Sequence, residues 1–224
     1  MRVILASASL RREKLLHDLG LDIKVIASQV DEQAMKKKIK KAEVLATKLA
    51  LMKALAVKSR LHKKDTLIIG ADTFVVLGRK ILGKPETRRE ALKMLTSLRN
   101  KTHLVVTGLA LVKNNKVKKA AEITKVKFRK VSLKEIEQYL DTQVFQDRAG
   151  AYGIQDKKCD FVKSFKGSYT NILGLPLEKL TKMLEEFGVK VKKTKTDLSL
   201  SRQNFFFRKR AVFQGGLKKA GKRL

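Results

Sequence analysis

A single cysteine, three histidines and a shortage of acids narrow what this chain can be. Cys159 stands alone, which excludes an intrachain disulfide and fits a reducing compartment. The histidines, at 17, 62 and 103, are too scattered to form a histidine-based metal site. No run approaches the roughly 18 apolar residues needed to cross a bilayer. The opening Met1-Arg2-Val3-Ile4-Leu5, soon interrupted by Arg11-Arg12, is too short for a signal peptide. A soluble, cytoplasmic protein is expected. With aromatics at only 6%, its core must be mostly aliphatic.

The scarcity of acids is sharper. Fifty-two Lys and Arg residues face 21 Asp and Glu, a formal net charge of +31. Such a surface attracts polyanions, whether nucleotides, nucleic acids or acidic membranes. Residues 189–224 hold twelve basic residues and one acid, Asp197, with Phe205-Phe206-Phe207 set against Arg208-Lys209-Arg210. This stretch is expected to be a weakly ordered extension with affinity for nucleic acid or membranes. At 224 residues the chain can bury a full core, as one large domain or two small lobes, which is expected within residues 1–188.

What is present centres on residues 67–85. Leu67-Ile68-Ile69 predicts a buried strand that delivers Asp72 and Thr73 at or near its end, then continues through Phe74 to Leu77. An acid inside an apolar run is expensive to desolvate unless a cation, metal or donor set meets it. Asp72 is therefore the first candidate for chemistry. Gly78 to Lys84 spells the first part of a P-loop, but Pro85 stands where a Ser or Thr hydroxyl is needed, and that motif is rejected.

Upstream, Val3-Ile4-Leu5 predicts a strand running into Ser7 and Ser9 and a helix from Arg11 to Leu19, with Ser9 as N-cap and Gly20 just past its end. Such a junction is a ready anion site, and two arginines at the cationic end of the helix dipole imply an anion between them. Asp22 to Ala27 predicts a second strand, with Asp31-Glu32 at its exit. Ala42 to Val57 predicts a helix in which Lys53 shares a face with Ala46, Ala50 and Val57, so it either snorkels or points into a cleft.

Downstream, Thr87 with Glu90 and Ser132 with Glu135 read as capping boxes of two further helices. Leu104–Val112 and Val117–Val131 read as a hairpin around Asn114-Asn115, with His103 a packing histidine. Small residues from Arg148 to Ile154 let the backbone approach a flat ligand, and Gln155 can offer a donor and an acceptor to a base edge. Phe161-Val162 and Gly167-Ser168-Tyr169 suggest a last hairpin, and Leu177–Phe187 a final helix. The class is α/β.

Taken together, LASASLRR (5–12), GADT (70–73), ILGKP (81–85), THLVVTG (102–108), RAGAYGIQ (148–155) and GSYTNILGLPL (167–177) resemble the Maf family of septum-formation-inhibitor-like nucleoside triphosphate pyrophosphatases. The AGAYGIQ form resembles the subgroup acting on dTTP and UTP. Leu10 departs from the family's usual proline. The resemblance implies a mixed twisted sheet flanked by helices, with a central cleft between two lobes, similar to inosine-triphosphate pyrophosphatases. It also implies a cytoplasmic homodimer with a house-cleaning or division-control role.

By the same resemblance Asp72 is the proton acceptor. Arg11, Thr73 and Gln155 select the substrate, and Ser7, Arg12, Glu32, Lys53 and Lys84 are further cleft residues. Hydrolysis to a monophosphate and pyrophosphate would then need Arg11, Arg12, Lys53 and Lys84 to neutralise phosphate charge. It would also need Glu32 and Asp72 to hold a divalent cation, Mg²⁺, Mn²⁺ or Co²⁺. The other readings are a nucleic-acid-binding protein using the basic surface and tail, or a catalytically weak division regulator.

Overall fold

The computed structural model describes residues 1–61 and 65–191. The basic stretch 192–224 lies outside the described residues. Seven strands form one mixed sheet. They are β1 (Arg2–Leu5), β2 (Ile23–Val25), β3 (Thr66–Leu77), β4 (Lys80–Leu82), β5 (Thr102–Lys113), β6 (Lys116–Phe128) and β7 (Val162–Lys166). Their order is β2-β1-β3-β5-β6-β7, with β4 beside the far end of β3. The β1–β2 and β1–β3 pairs are parallel and the others antiparallel. The helices are α1 (Leu10–Asp18), α2 (Glu32–Lys38), α3 (Ala42–Lys58), α4 (Arg88–Leu98), α5 (Leu133–Leu140), α6 (Tyr169–Ile172) and α7 (Leu177–Glu185). The expected α/β class, with its mixed sheet flanked by helices, is what the chain adopts. None of the described helices is long and apolar enough to cross a membrane.

The strand β3 organises the rest. Its side chains alternate between two faces, as the pleat requires. Ile68 and Phe74 point to α3, where they pack with Ala54 and Val57 or with Leu45, Ala46 and Leu49. On the opposite face Leu67, Ile69 and Ala71 join a core with Leu16 of α1 and Leu180 and Leu184 of α7. Farther along that face Val75 joins a separate core with Leu95, Phe128, Tyr139 and Phe161. Thr73 lies between these two cores. They are the interiors of two lobes, and the boundary between them is where a cleft opens.

The edge of β3 is interrupted at the same point. β1 pairs with it as far as Ile69 and β4 only from Val75 onward, so Gly70 to Phe74 are paired on the β5 side alone. Glycines let α3 sit close behind this gap. A Cβ on Gly70 would lie 2.0 Å from the Ala50 carbonyl oxygen, and one on Gly108 of β5 would lie 2.2 Å from the Ala46 carbonyl carbon. Real Cβ atoms do not approach so closely, hence glycine at both positions.

Several local expectations change. Asp72 lies in the middle of a continuous 12-residue strand rather than at a strand end, because β5 keeps pairing through it. The 161–169 region is no hairpin: β7 pairs with β6, and Tyr169–Ile172 is helical, with the Ser168 side chain accepting from Asn171 N. Ser132 and Glu135 form the full capping box. Thr87 caps α4, but Glu90 accepts from Glu86 N instead of completing the box. Ser9 occupies the N-cap of α1 without a side-chain capping bond. Gly78 to Lys84 forms the β3–β4 hairpin and its exit, which agrees with rejecting a P-loop.

Candidate functional site

A cavity of about 400 Å³ occupies the cleft. From the β1–α1 junction come Ser7, Arg11 and Arg12; from α2 and α3, Glu32 and Lys53. Asp72 and Thr73 form its floor, and Lys84 and Gln155 stand on the far lobe. The structure thus gathers every residue singled out from the sequence around one opening.

At the floor, Asp72 is only 7% exposed. About three turns into α3, Lys53 resolves the alternative left by the sequence: it points into the cleft. Its Nζ lies 2.8 Å from Glu32 Oε1 and 2.5 Å from Asp72 Oδ1. One ammonium is therefore shared by two carboxylates, which offsets part of the cost of burying Asp72 and leaves these three groups with a net negative charge. The second oxygen, Asp72 Oδ2, is buried with no hydrogen-bond partner in the described structure. An orphaned carboxylate oxygen beside a second carboxylate suits a hard divalent cation completed by substrate oxygens and water, the manner in which Mg²⁺ usually binds. Among the described residues no group of three or more His, Cys, Asp or Glu side chains could hold a metal by itself.

The two arginines divide the labour. Arg12 is buried and committed to the protein. Nε donates to the Gly174 carbonyl at 2.8 Å, Nη1 to Ser7 Oγ and the Ala71 carbonyl, both at 3.0 Å, and Nη2 to Thr73 Oγ1 at 3.0 Å. The Ala71 bond satisfies an edge carbonyl that β1 and β4 leave open. Burial lowers the Arg12 pKa, opposed by the charges of Asp72, Asp147 and Glu32. Arg12 therefore ties α1 to β3 and to the α6–α7 connection. Thr73 is similarly engaged, with its hydroxyl 3.0 Å from Thr107 Oγ1. Arg11 stays at the mouth, as does Lys84.

Gln155 rides on a loop braced from behind. Arg148 donates from Nε and Nη2 to both oxygens of Asp156, at 3.2 and 3.0 Å. The Tyr139 hydroxyl donates to Asp156 Oδ2 at 2.8 Å and accepts from Gly153 N at 3.2 Å. Burial, more than any other influence, drives the Tyr139 pKa well above its ordinary value, so this phenol stays protonated and holds the loop. A Cβ on Gly153 would sit 2.4 Å from Asp156 Oδ2, which leaves glycine as the residue that fits. His103 Nε2 pairs with the Tyr152 hydroxyl at 2.8 Å, and burial lowers its pKa to about 4. It is a packing histidine.

Three contributors escaped the sequence reading. Asp147 meets both Arg11 and Lys84. Asp156 braces the Gln155 loop. Asn171 donates to the Val105 carbonyl at 3.0 Å and to Thr124 Oγ1 at 2.9 Å, pinning α6 to the sheet. Asp147 and Asp156 flank the RAGAYGIQ stretch and Asn171 lies inside GSYTNILGLPL, so proximity to those motifs was the available signal.

A family model described as Maf-like protein matches residues 2–187. The dTTP/UTP pyrophosphatase of Desulforamulus reducens is 43% identical over 191 residues, 84% of this chain and 98% of that protein. The dTTP/UTP pyrophosphatase of Clostridium botulinum strain Okra is 43% identical over 190 residues, covering 84% and 97%. That of Acetivibrio thermocellus is 40% identical over 200 residues, covering 86% and 98%. Among solved structures, a nucleoside-triphosphatase / dITP/XTP pyrophosphatase from Mycobacterium abscessus aligns over 84% of this chain and 95% of its own, with 13% identity and a TM-score of 0.38.

Proposed function

The chain belongs to the Maf-like protein family, and from that premise we propose that it is a nucleoside triphosphate pyrophosphatase, hydrolysing dTTP and UTP to the monophosphate and pyrophosphate. The observation that carries this reading is the convergence on one cleft of a buried aspartate, its lysine and carboxylate neighbours, and two cations at the mouth.

The residues take roles by position. The N-terminal end of α1, with Ser7 and Arg11 beside it, and Lys84 opposite, receive the phosphates through backbone N–H groups and paired cations. Arg12 fixes this cradle rather than filling it. Asp72 takes the proton from the attacking water, and Lys53 supplies counter-charge to Asp72 and Glu32. Glu32 and the unpartnered oxygen of Asp72 are the residues that would hold Mg²⁺, Mn²⁺ or Co²⁺. A bound divalent cation supplies charge stabilisation for the phosphoryl group. Gln155 presents its amide to the base edge, where an unmatched polar group is costly and discrimination correspondingly strong. Thr73 supports that selection from the floor, through its bonds to Arg12 and Thr107.

Residues 1–188 form the catalytic domain in this reading and 189–224 a basic extension. A cytoplasmic homodimer and a house-cleaning or division-control role follow from family resemblance and belong to the same proposal. The deciding assay is pyrophosphate release from a panel of triphosphates with Mg²⁺, Mn²⁺ or Co²⁺. Release from dTTP and UTP is expected, and its absence with all three metals would sink the activity. The net charge of +31 favours a second property, nucleic-acid binding through the basic surface and tail. Salt-sensitive retention of DNA or RNA, lost on truncation after residue 188, would establish it.

A further inference from the structure

Arg11 and Lys84 reach the cleft mouth from different lobes. Arg11 belongs to α1, whose Leu16 is buried in the core shared with α7. Lys84 follows β4, whose Leu82 packs against the core shared with α4 and α5. Both converge on Asp147, at the end of the short 3₁₀ turn Val144–Asp147, whose Phe145 is buried in that second core. Lys84 Nζ pairs with Asp147 Oδ1, and Arg11 Nη1 lies 3.4 Å from Asp147 Oδ2. Arg11 Nη2 also donates to the Asp147 carbonyl at 2.7 Å. The backbone behind is fixed, because Gly150 N donates to the Gly83 carbonyl at 2.8 Å and Arg148 is held by Asp156. A carboxylate thus sits between the two cations that the proposed reaction assigns to phosphate, in a chain where acids are outnumbered by 52 to 21.

We propose that Asp147 is a resident counter-ion of the phosphate site, bridging Arg11 and Lys84 across the cleft mouth until a polyphosphate displaces it. The proposal rests on the pyrophosphatase reading for the identity of the displacing ligand. Two like charges facing each other across a cleft repel, and a built-in carboxylate relieves that repulsion when no ligand is bound. Its single negative charge is weaker than that of a di- or triphosphate, so a polyphosphate wins the exchange. As pyrophosphate departs, the carboxylate returns to the cations and eases release. The contacts are solvent-exposed, so the effect is one of tuning affinity rather than of permitting binding.

The test is calorimetric titration of the full-length protein with inorganic pyrophosphate in Mg²⁺ buffer. Asp147→Asn removes the charge but keeps the carbonyl that Arg11 uses, and should bind pyrophosphate about fivefold tighter, as expected when two exposed ion pairs no longer compete. Asp147→Ser should do the same, and covers the case in which the Asn variant folds poorly. Asp147→Glu should stay near the parent. Asp141→Asn makes the same change in net charge at a carboxylate that pairs with Arg88, and should leave affinity unaltered. Unchanged or weaker binding in both neutral variants overturns the proposal, as does equal tightening in Asp141→Asn or no pyrophosphate binding by any protein. Failure of the parent to hydrolyse dTTP or UTP would overturn the activity instead, and the titration would still decide the role of Asp147.

Discussion

In the proposed reaction Asp72 and Lys53, paired at 2.5 Å, concentrate the chemistry into two side chains, and that pairing predicts how an Asp72 variant fails. Asp72→Asn keeps the shape and removes the base, so kcat should fall by about a hundredfold or more while the melting temperature changes little; initial rates with dTTP or UTP beside a thermal melt check both. Survival of activity would remove Asp72 from its role and leave the family assignment intact. His103 offers a second residue-scale test. Its folded pKa of about 4 lies below the ordinary 6.5. The unfolded chain therefore takes up the proton first, so the stabilisation is present above pH 6.5 and lost as pH falls toward 4. The full difference corresponds to about 3 kcal/mol. Denaturant melts at pH 7 and pH 4.5 should show this loss, and His103→Gln should reduce the slope. Cys159 completes the set: burial, its largest influence, raises the thiol pKa, so a thiol reagent should label it in denaturant and spare it in the native protein.

At the scale of elements, the close approach of α3 to the sheet places Lys53 over Asp72. The two glycines that permit it, Gly70 and Gly108, are contacts between backbone and backbone, and backbone does not swing aside as a side chain would. Gly108→Ala should therefore destabilise the fold by about 3 kcal/mol, the upper range for overpacking, measurable as a shift in the urea midpoint at constant m-value. The same push on α3 should carry Lys53 away from Asp72, so residual activity should fall further than residual stability. An ordinary loss of about 1 kcal/mol or less would mean that the helix relaxes at little cost and that its spacing is not critical.

Taken as a whole molecule, the protein carries an excess of positive charge far larger than the cleft needs. A trianionic or tetra-anionic nucleotide is drawn toward such a surface over a distance set by salt, about 10 Å at 0.1 M. Raising ionic strength from 50 to 300 mM should increase KM several-fold and leave kcat nearly constant. A flat KM would show that capture is local to Arg11 and Lys84 and owes nothing to the global field. Chelation of divalent cations should abolish turnover and restoration of Mg²⁺ or Mn²⁺ should recover it, since the described carboxylates number too few to retain a metal tightly without substrate.

Much was legible in the chain before folding because local physics dictates it. Periodicity placed α3, the β5–β6 hairpin and α7. Ser132 and Glu135 announced a helix start, and a solitary acid in an apolar run marked Asp72 as expensive to bury. Three kinds of fact required the tertiary structure. That β3 continues through Asp72 depends on its pairing with β5, a partner about 35 residues away in sequence. That Arg12 is buried under four hydrogen bonds whereas Arg11 stands at the cleft mouth against Asp147 depends on which groups other segments bring to each guanidinium group. The link from Arg11 to Asp147 spans 136 residues. Adjacent residues share composition and local conformation, so spacing alone ranks them equally. Burial and long-range hydrogen bonding separate them, and both exist only once the lobes have closed on the cleft.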